Sequence, residues 1–174
     1  MAELLAPWGL DEQVADDIVD RYLTFRTNSQ LFGIPIQDVV QIIGMQKITG
    51  LPDSPPYMKG VIRLRGEVFP VIDVRRRLGQ PDAAYNERTC IIITHIRDRG
   101  FGFIVDEVDE VCNIADEQIV PPPRMENSAV TTYLTGIAHL DGASGKAERI
   151  ILLLNITRLL REDELVSVAQ ALTE

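Results

Sequence analysis

Apolar residues near the start of the chain recur every four positions, at Leu10, Val14 and Ile18, with Asp11, Glu12, Asp16 and Asp17 between them. That spacing draws one apolar stripe along a short amphipathic helix. From Tyr22 the period changes to two. Tyr22-Leu23-Thr24-Phe25-Arg26 alternates, Thr27-Asn28-Ser29 is turn chemistry, and residues 31–36 read as the returning strand of a hairpin. Pro35 lacks an N–H for the ladder and belongs at an edge or a bulge.

Residues 39–45 are apolar and β-branched, and three prolines stiffen the extended connection 51–56. Val61-Ile62-Arg63-Leu64-Arg65, then Gly66-Glu67, then residues 68–72 predict strand, turn and strand. Asp73 is placed to cap a short helix through Leu78, ended by Gly79. Residues 90–96 and 101–105 are apolar runs joined by Asp98-Arg99-Gly100, a three-residue hairpin signal. Residues 111–114 predict another short strand, 121–123 a polyproline piece, and 135–140 with 149–154 a last strand pair. Leu159, Leu160, Leu165, Val168 and Leu172 predict a C-terminal helix. About nine short strands without strand–helix alternation predict a mostly β fold of small barrels or a sandwich.

Net charge changes this picture once it is located. Residues 1–20 hold six acids and no base, 161–174 hold four acids and one base, and 21–160 balance sixteen of each. A neutral middle offers no basic field for phosphate capture, so no nucleic-acid partner is expected. No apolar run approaches the roughly 20 residues of a spanning helix, and the start shows no secretory leader. With only Cys90 and Cys112, the expectation is a cytoplasmic protein with reduced thiols, no disulfide framework and no direct membrane insertion.

Catalytic chemistry is sparse. His95 and His139 each lie in a predicted strand without a second ligand at metal spacing, which favours strand histidines. Asp106, Glu107, Asp109 and Glu110 lack calcium-loop spacing and read as a solvated hairpin end. Gly142-Ala143-Ser144-Gly145-Lys146 departs from a phosphate loop at its first glycine and in the residue after lysine, and a strand follows instead of a helix. No catalytic residue, metal or cofactor is therefore expected. The competing reading is a small β-barrel metal- or ligand-binding module built on Asp106, Glu107 and a histidine. The other feature is an arginine pair: Arg63 and Arg65, two apart on a predicted strand, share one face, with Ile62 and Leu64 turned to the core. Either the face is simply wet or it is a docking surface whose backbone Gly60 and Gly66 keep accessible.

The string 57–75, Tyr-Met-Lys-Gly-Val-Ile-Arg-Leu-Arg-Gly-Glu-Val-Phe-Pro-Val-Ile-Asp-Val-Arg, resembles the signature of the CheW-like chemotaxis coupling proteins. There Lys-Gly-Val leads into Asn-Leu-Arg-Gly and a Pro-Val-Ile-Asp-Leu-Arg run. Similar segments at 31–36, 39–42, 48–55, 103–108 and 132–136 extend the resemblance over about 21–160. It implies two SH3-like five-stranded β-barrel lobes on a shared core, with short N- and C-terminal helices. It also implies a non-enzymatic adaptor joining methyl-accepting chemoreceptor tips to a CheA-type histidine kinase, cytoplasmic and recruited to membrane-associated receptor arrays. Carried over by position, Arg65 and Gly60 face the receptor with Val39 and Ile36 nearby and Arg63 beside them; kinase contacts stay unassigned. The expected division is an acidic extension 1–20, a CheW-like domain 21–164 and a helix end 165–174. Two departures, Arg63 where the family usually has Asn and Gln41 where Glu is common, alter charge at that face. They leave open a coupler in a parallel chemosensory pathway, for surface motility or biofilm formation.

Overall fold

The computed structural model describes residues 20–96, 98–123, 132–140 and 148–160. The predicted N-terminal helix, the predicted C-terminal helix beyond Leu160 and the glycine string 142–146 lie outside them; Leu159 ends a short 3-10 turn, Ile156–Leu159, and Leu160 follows it in an extended conformation. Among the described residues eleven strands form two sheets.

One sheet is built from β1 (Arg21–Thr27), β2 (Gln30–Pro35), β8 (Glu107–Asn113), β9 (Ile119–Val120), β10 (Leu134–Leu140) and β11 (Arg149–Leu154), in the order β8-β1-β2-β11-β10-β9. The strands at its two edges, β8 and β9, are successive in the chain, so one bent stretch serves both edges and the sheet closes as a five-sided barrel. The second sheet holds β3 (Val39–Gly44), β4 (Met58–Leu64), β5 (Glu67–Asp73), β6 (Cys90–Ile96) and β7 (Arg99–Val105), in the order β3-β6-β7-β5-β4. Here closure comes from an isolated bridge between Thr49, just past β3, and Val61 of β4. Gly60 makes that bridge possible: it is buried at φ 144, and a Cβ there would stand 2.1 Å from the Thr49 carbonyl oxygen. Its role is close packing rather than an accessible backbone.

Topology is nested. β3 to β7 are inserted between β2 and β8, and each barrel contains one parallel pair, β2 with β11 and β5 with β7. Apolar runs without alternation follow from strands buried on both faces. Phe69, Val71, Ile91, Ile93 and Ile104 fill the second barrel, whereas Ile72, Ile92, Phe101, Phe103 and Val105 of the same strands face the first. There they meet Leu23, Phe25, Phe32, Ile34 and Leu154 in one shared core. Leu31, Cys112, Ile114, Ala138, Ile151 and Leu153 fill the first barrel.

Asp73 caps the helix α1 (Val74–Arg77), its Oδ1 accepting from the Arg76 amide at 3.4 Å, and Gly79 leaves the helix at φ 73. The polar stretch around Asp98 departs from expectation: Ile96 pairs with Arg99, which leaves two residues between them where a three-residue loop was predicted and starts the returning strand at Arg99, two residues earlier than 101. The acidic run is likewise not a hairpin end. Glu107, Asp109 and Glu110 stand within β8, an edge strand paired to β1 in which Asp109 and Glu110 are exposed and Glu107 is half-buried.

Candidate functional site

The β4–β5 hairpin is closed by the pair Leu64 and Glu67, leaving Arg65 and Gly66 as its two-residue turn. Their φ values of 52 and 82 are the left-handed pair that matches the twist of a hairpin. Arg65 is thus a turn residue and not, as the spacing suggested, a second strand residue beside Arg63. The turn projects its side chain past the sheet end, while Arg63 stands on the outer face of β4 opposite Val68. Both arginines are exposed, and neither forms an ion pair with any described residue.

The other arginines of this basic stretch are committed to structure. On α1, Arg75 donates to the Asp106 carboxylate at 2.6 and 2.8 Å and to the Pro81 carbonyl, and Arg76 pairs with Asp82 at 3.0 Å. Arg77 lies over the rings of Tyr57 and Tyr133, at 4.3 and 5.2 Å, and donates to the Leu159 carbonyl. It therefore ties the second barrel to the first. Asp106 also accepts from the Asn28 amide of the β1–β2 turn at 2.9 Å. Burial alone would push its carboxyl up, but the hydrogen bonds and charge of Arg75 and the Asn28 amide outweigh this and hold it below the usual range. Tyr85 donates to Asp73 Oδ2 at 2.7 Å; burial first, then that bond and charge, push the Tyr85 hydroxyl far up.

Of the remaining candidates, Ile36 and Val39 are 2% and 4% exposed and belong to the shared core, where the chain passes from one barrel to the other. Their side chains do not reach a surface. The structure adds two residues that the sequence did not single out. The parallel register sets Val71 beside Gly102, so three residues back on each strand Val68 stands level with Arg99. Both line a groove of about 340 Å³ together with Glu67, Pro70 and Asp98. Arg63, Val68 and Arg99 consequently form one exposed row across β4, β5 and β7, with Val68 44% exposed between two arginines. No sequence signal pairs β5 with β7, because the contact is parallel and 31 residues apart.

His95 and His139 are exposed, His139 lying 3.7 Å from Glu148. Asp109 and Glu110 receive Arg149, and Glu107 lies near Arg26 and Arg88. Among the described residues no group of three or more His, Cys, Asp or Glu could hold a metal, and no helix is long and apolar enough to cross a membrane. The acids of the competing metal-site reading are spent on arginines instead.

Comparison with known proteins gives concordant matches. A family model described as CheW-like domain matches residues 21–164. The chain is 34% identical to a chemotaxis protein CheW of Klebsiella aerogenes over 88% of its own length and 89% of that protein's. It is 31% identical to Protein FrzA of Myxococcus xanthus over 86% and 90% of the two chains. A crystal structure of the scaffolding protein TtCheW from Thermoanaerobacter tengcongensis aligns with a TM-score of 0.73 at 31% identity, covering 83% of this chain and 94% of that one.

Proposed function

The chain belongs to the CheW-like domain family of non-enzymatic chemotaxis scaffolds, and on that premise we propose that it joins chemoreceptor cytoplasmic tips to a CheA-type histidine kinase, the receptor meeting the Arg65 turn. In this reading the protein works in the cytoplasm and is recruited to receptor arrays. Residues 21–164 are the signalling module, with 1–20 an accessory extension and 165–174 a terminal segment outside the described residues. The observation that carries the proposal is the state of Arg65 and Arg63: both exposed and free of ion pairs with described residues, Arg65 fixed on a tight hairpin turn and Arg63 on the paired strand that leads into it. A guanidinium that needs no local partner, held on a rigid turn, loses little freedom when it docks. Gly60, Ile36 and Val39 support the site from within, by closing the barrel under the hairpin and by holding the crossing between lobes.

Titration of purified receptor fragments against Arg65→Glu tests the proposal. The expected loss is at least about thirtyfold in affinity, the scale of losing an interface anchor. Affinity within twofold of the parent, with an unchanged circular dichroism spectrum, would overturn it. A second reading, a coupler for a parallel chemosensory pathway, is favoured by Arg63 and Gln41, which depart from the usual family residues beside this face, and by the similarity to FrzA. Binding of receptors from the flagellar system against those of a second system in the same cell decides between the two.

A further inference from the structure

We infer that the acidic segment 1–19 of this chain docks, within the same molecule, on the Arg63–Val68–Arg99 face, and so occupies the surface beside the Arg65 turn when no partner is bound. The face combines two features that one occupant must satisfy. Arg63 and Arg99 are exposed and make no ion pair with described residues, and between them lies a half-exposed valine at the edge of a groove of about 340 Å³. Glu67 and Asp98 line the same groove, so the occupant must bring apolar contact as well as carboxylates. The segment before Asp20 supplies both. It carries Glu3, Asp11, Glu12, Asp16 and Asp17 without a single base, and among them Trp8, Leu10, Val14 and Ile18.

Reach is no obstacle. A domain of about 140 residues has a radius of gyration of roughly 14 Å, whereas nineteen extended residues span up to roughly 60 Å. Tethering also relaxes the affinity required. At an effective concentration on the order of millimolar, a contact of only millimolar strength is populated about half the time. A partner approaching Arg65 then has to displace the segment, so neutralising the segment raises partner affinity at low salt and makes that affinity more salt-sensitive, since salt no longer releases a competitor. That consequence rests on the proposed function; the docking itself does not.

Trp8 is the chain's single tryptophan, so its quenching by acrylamide, a neutral probe, reads the docking directly in the full chain without any partner. At low salt the expected quenching constant is at least about twofold smaller than in Arg63→Glu/Arg99→Glu. The full-chain variant Asp11→Asn/Glu12→Gln/Asp16→Asn/Asp17→Asn, whose changes touch none of the described residues, is expected to show the same rise as the arginine reversal. Adding salt to 1 M, where screening acts within about 3 Å, should raise the parent towards both variants. Equal quenching in all three proteins, or protection that survives the arginine reversal, would overturn the inference. So would protection that grows with protein concentration, since the segment of one copy would then sit on another.

Discussion

Arg65 holds a left-handed backbone conformation that a glycine or asparagine would adopt at lower cost. A non-glycine residue there is worth on the order of 1 kcal/mol of strain, which makes Arg65→Asn an informative substitution. Asn-Gly is the favoured pair for this turn, so the variant is expected to match or exceed the parent in stability by up to about 1 kcal/mol while losing receptor affinity. Thermal melting and receptor titration on the same preparation check both halves; a loss of stability would contradict the turn argument. Asp73 makes the opposite case. It is 4% exposed, caps α1 and accepts from Tyr85, so Asp73→Ala is expected to cost about 1–3 kcal/mol by denaturant titration, more than an exposed cap alone. Its cap was legible in the sequence because capping is local: a carboxylate before a short helix and a glycine after it. Arg65 was misplaced by one residue of turn, and in a strand one residue decides which way a side chain points.

Strands and turns were legible where pattern and neighbour agree, as in β1 with β2 and in β10 with β11, both antiparallel and close in sequence. The β5–β7 pairing that assembles the Arg63–Val68–Arg99 row was not, since parallel contacts between distant segments leave no local mark. The acidic run misled for a related reason: its partners, Arg26, Arg75, Arg88 and Arg149, come from four separate parts of the chain. That placement has a pH signature. Asp106 is held below its unfolded value near 4, so its contribution is fully present above that value and is lost as pH falls through the lower folded one. Asp106→Asn is expected to lose about 1–2 kcal/mol at neutral pH and to show a shallower decline in stability below pH 4, measured by urea unfolding across pH. A parallel acid limb in parent and variant would refute it.

Across the whole molecule the two barrels share one core, so they should not melt separately. Phe101, 1% exposed in the second barrel, packs in the cluster that also contains Phe25, Phe32 and Leu154 of the first. Phe101→Ala is expected to cost about 3–5 kcal/mol, and amide exchange should show β4 and β10 losing protection together. Loss confined to β4 would mean independent lobes. The nesting of one barrel inside the other also sets an order on the ribosome. The β1–β2 hairpin emerges first, but its parallel partner β11 begins at Arg149, more than a hundred residues after Pro35. At about 5–20 residues per second the hairpin waits roughly 5–20 s for that strand. Throughout this interval the inserted barrel, complete once Val105 has cleared the tunnel, is the surface available to cover Phe25, Phe32 and Ile34. The inserted lobe is thus expected to cover the hairpin that precedes it, so stalled nascent chains ending shortly after β7 should already protect that hairpin from protease.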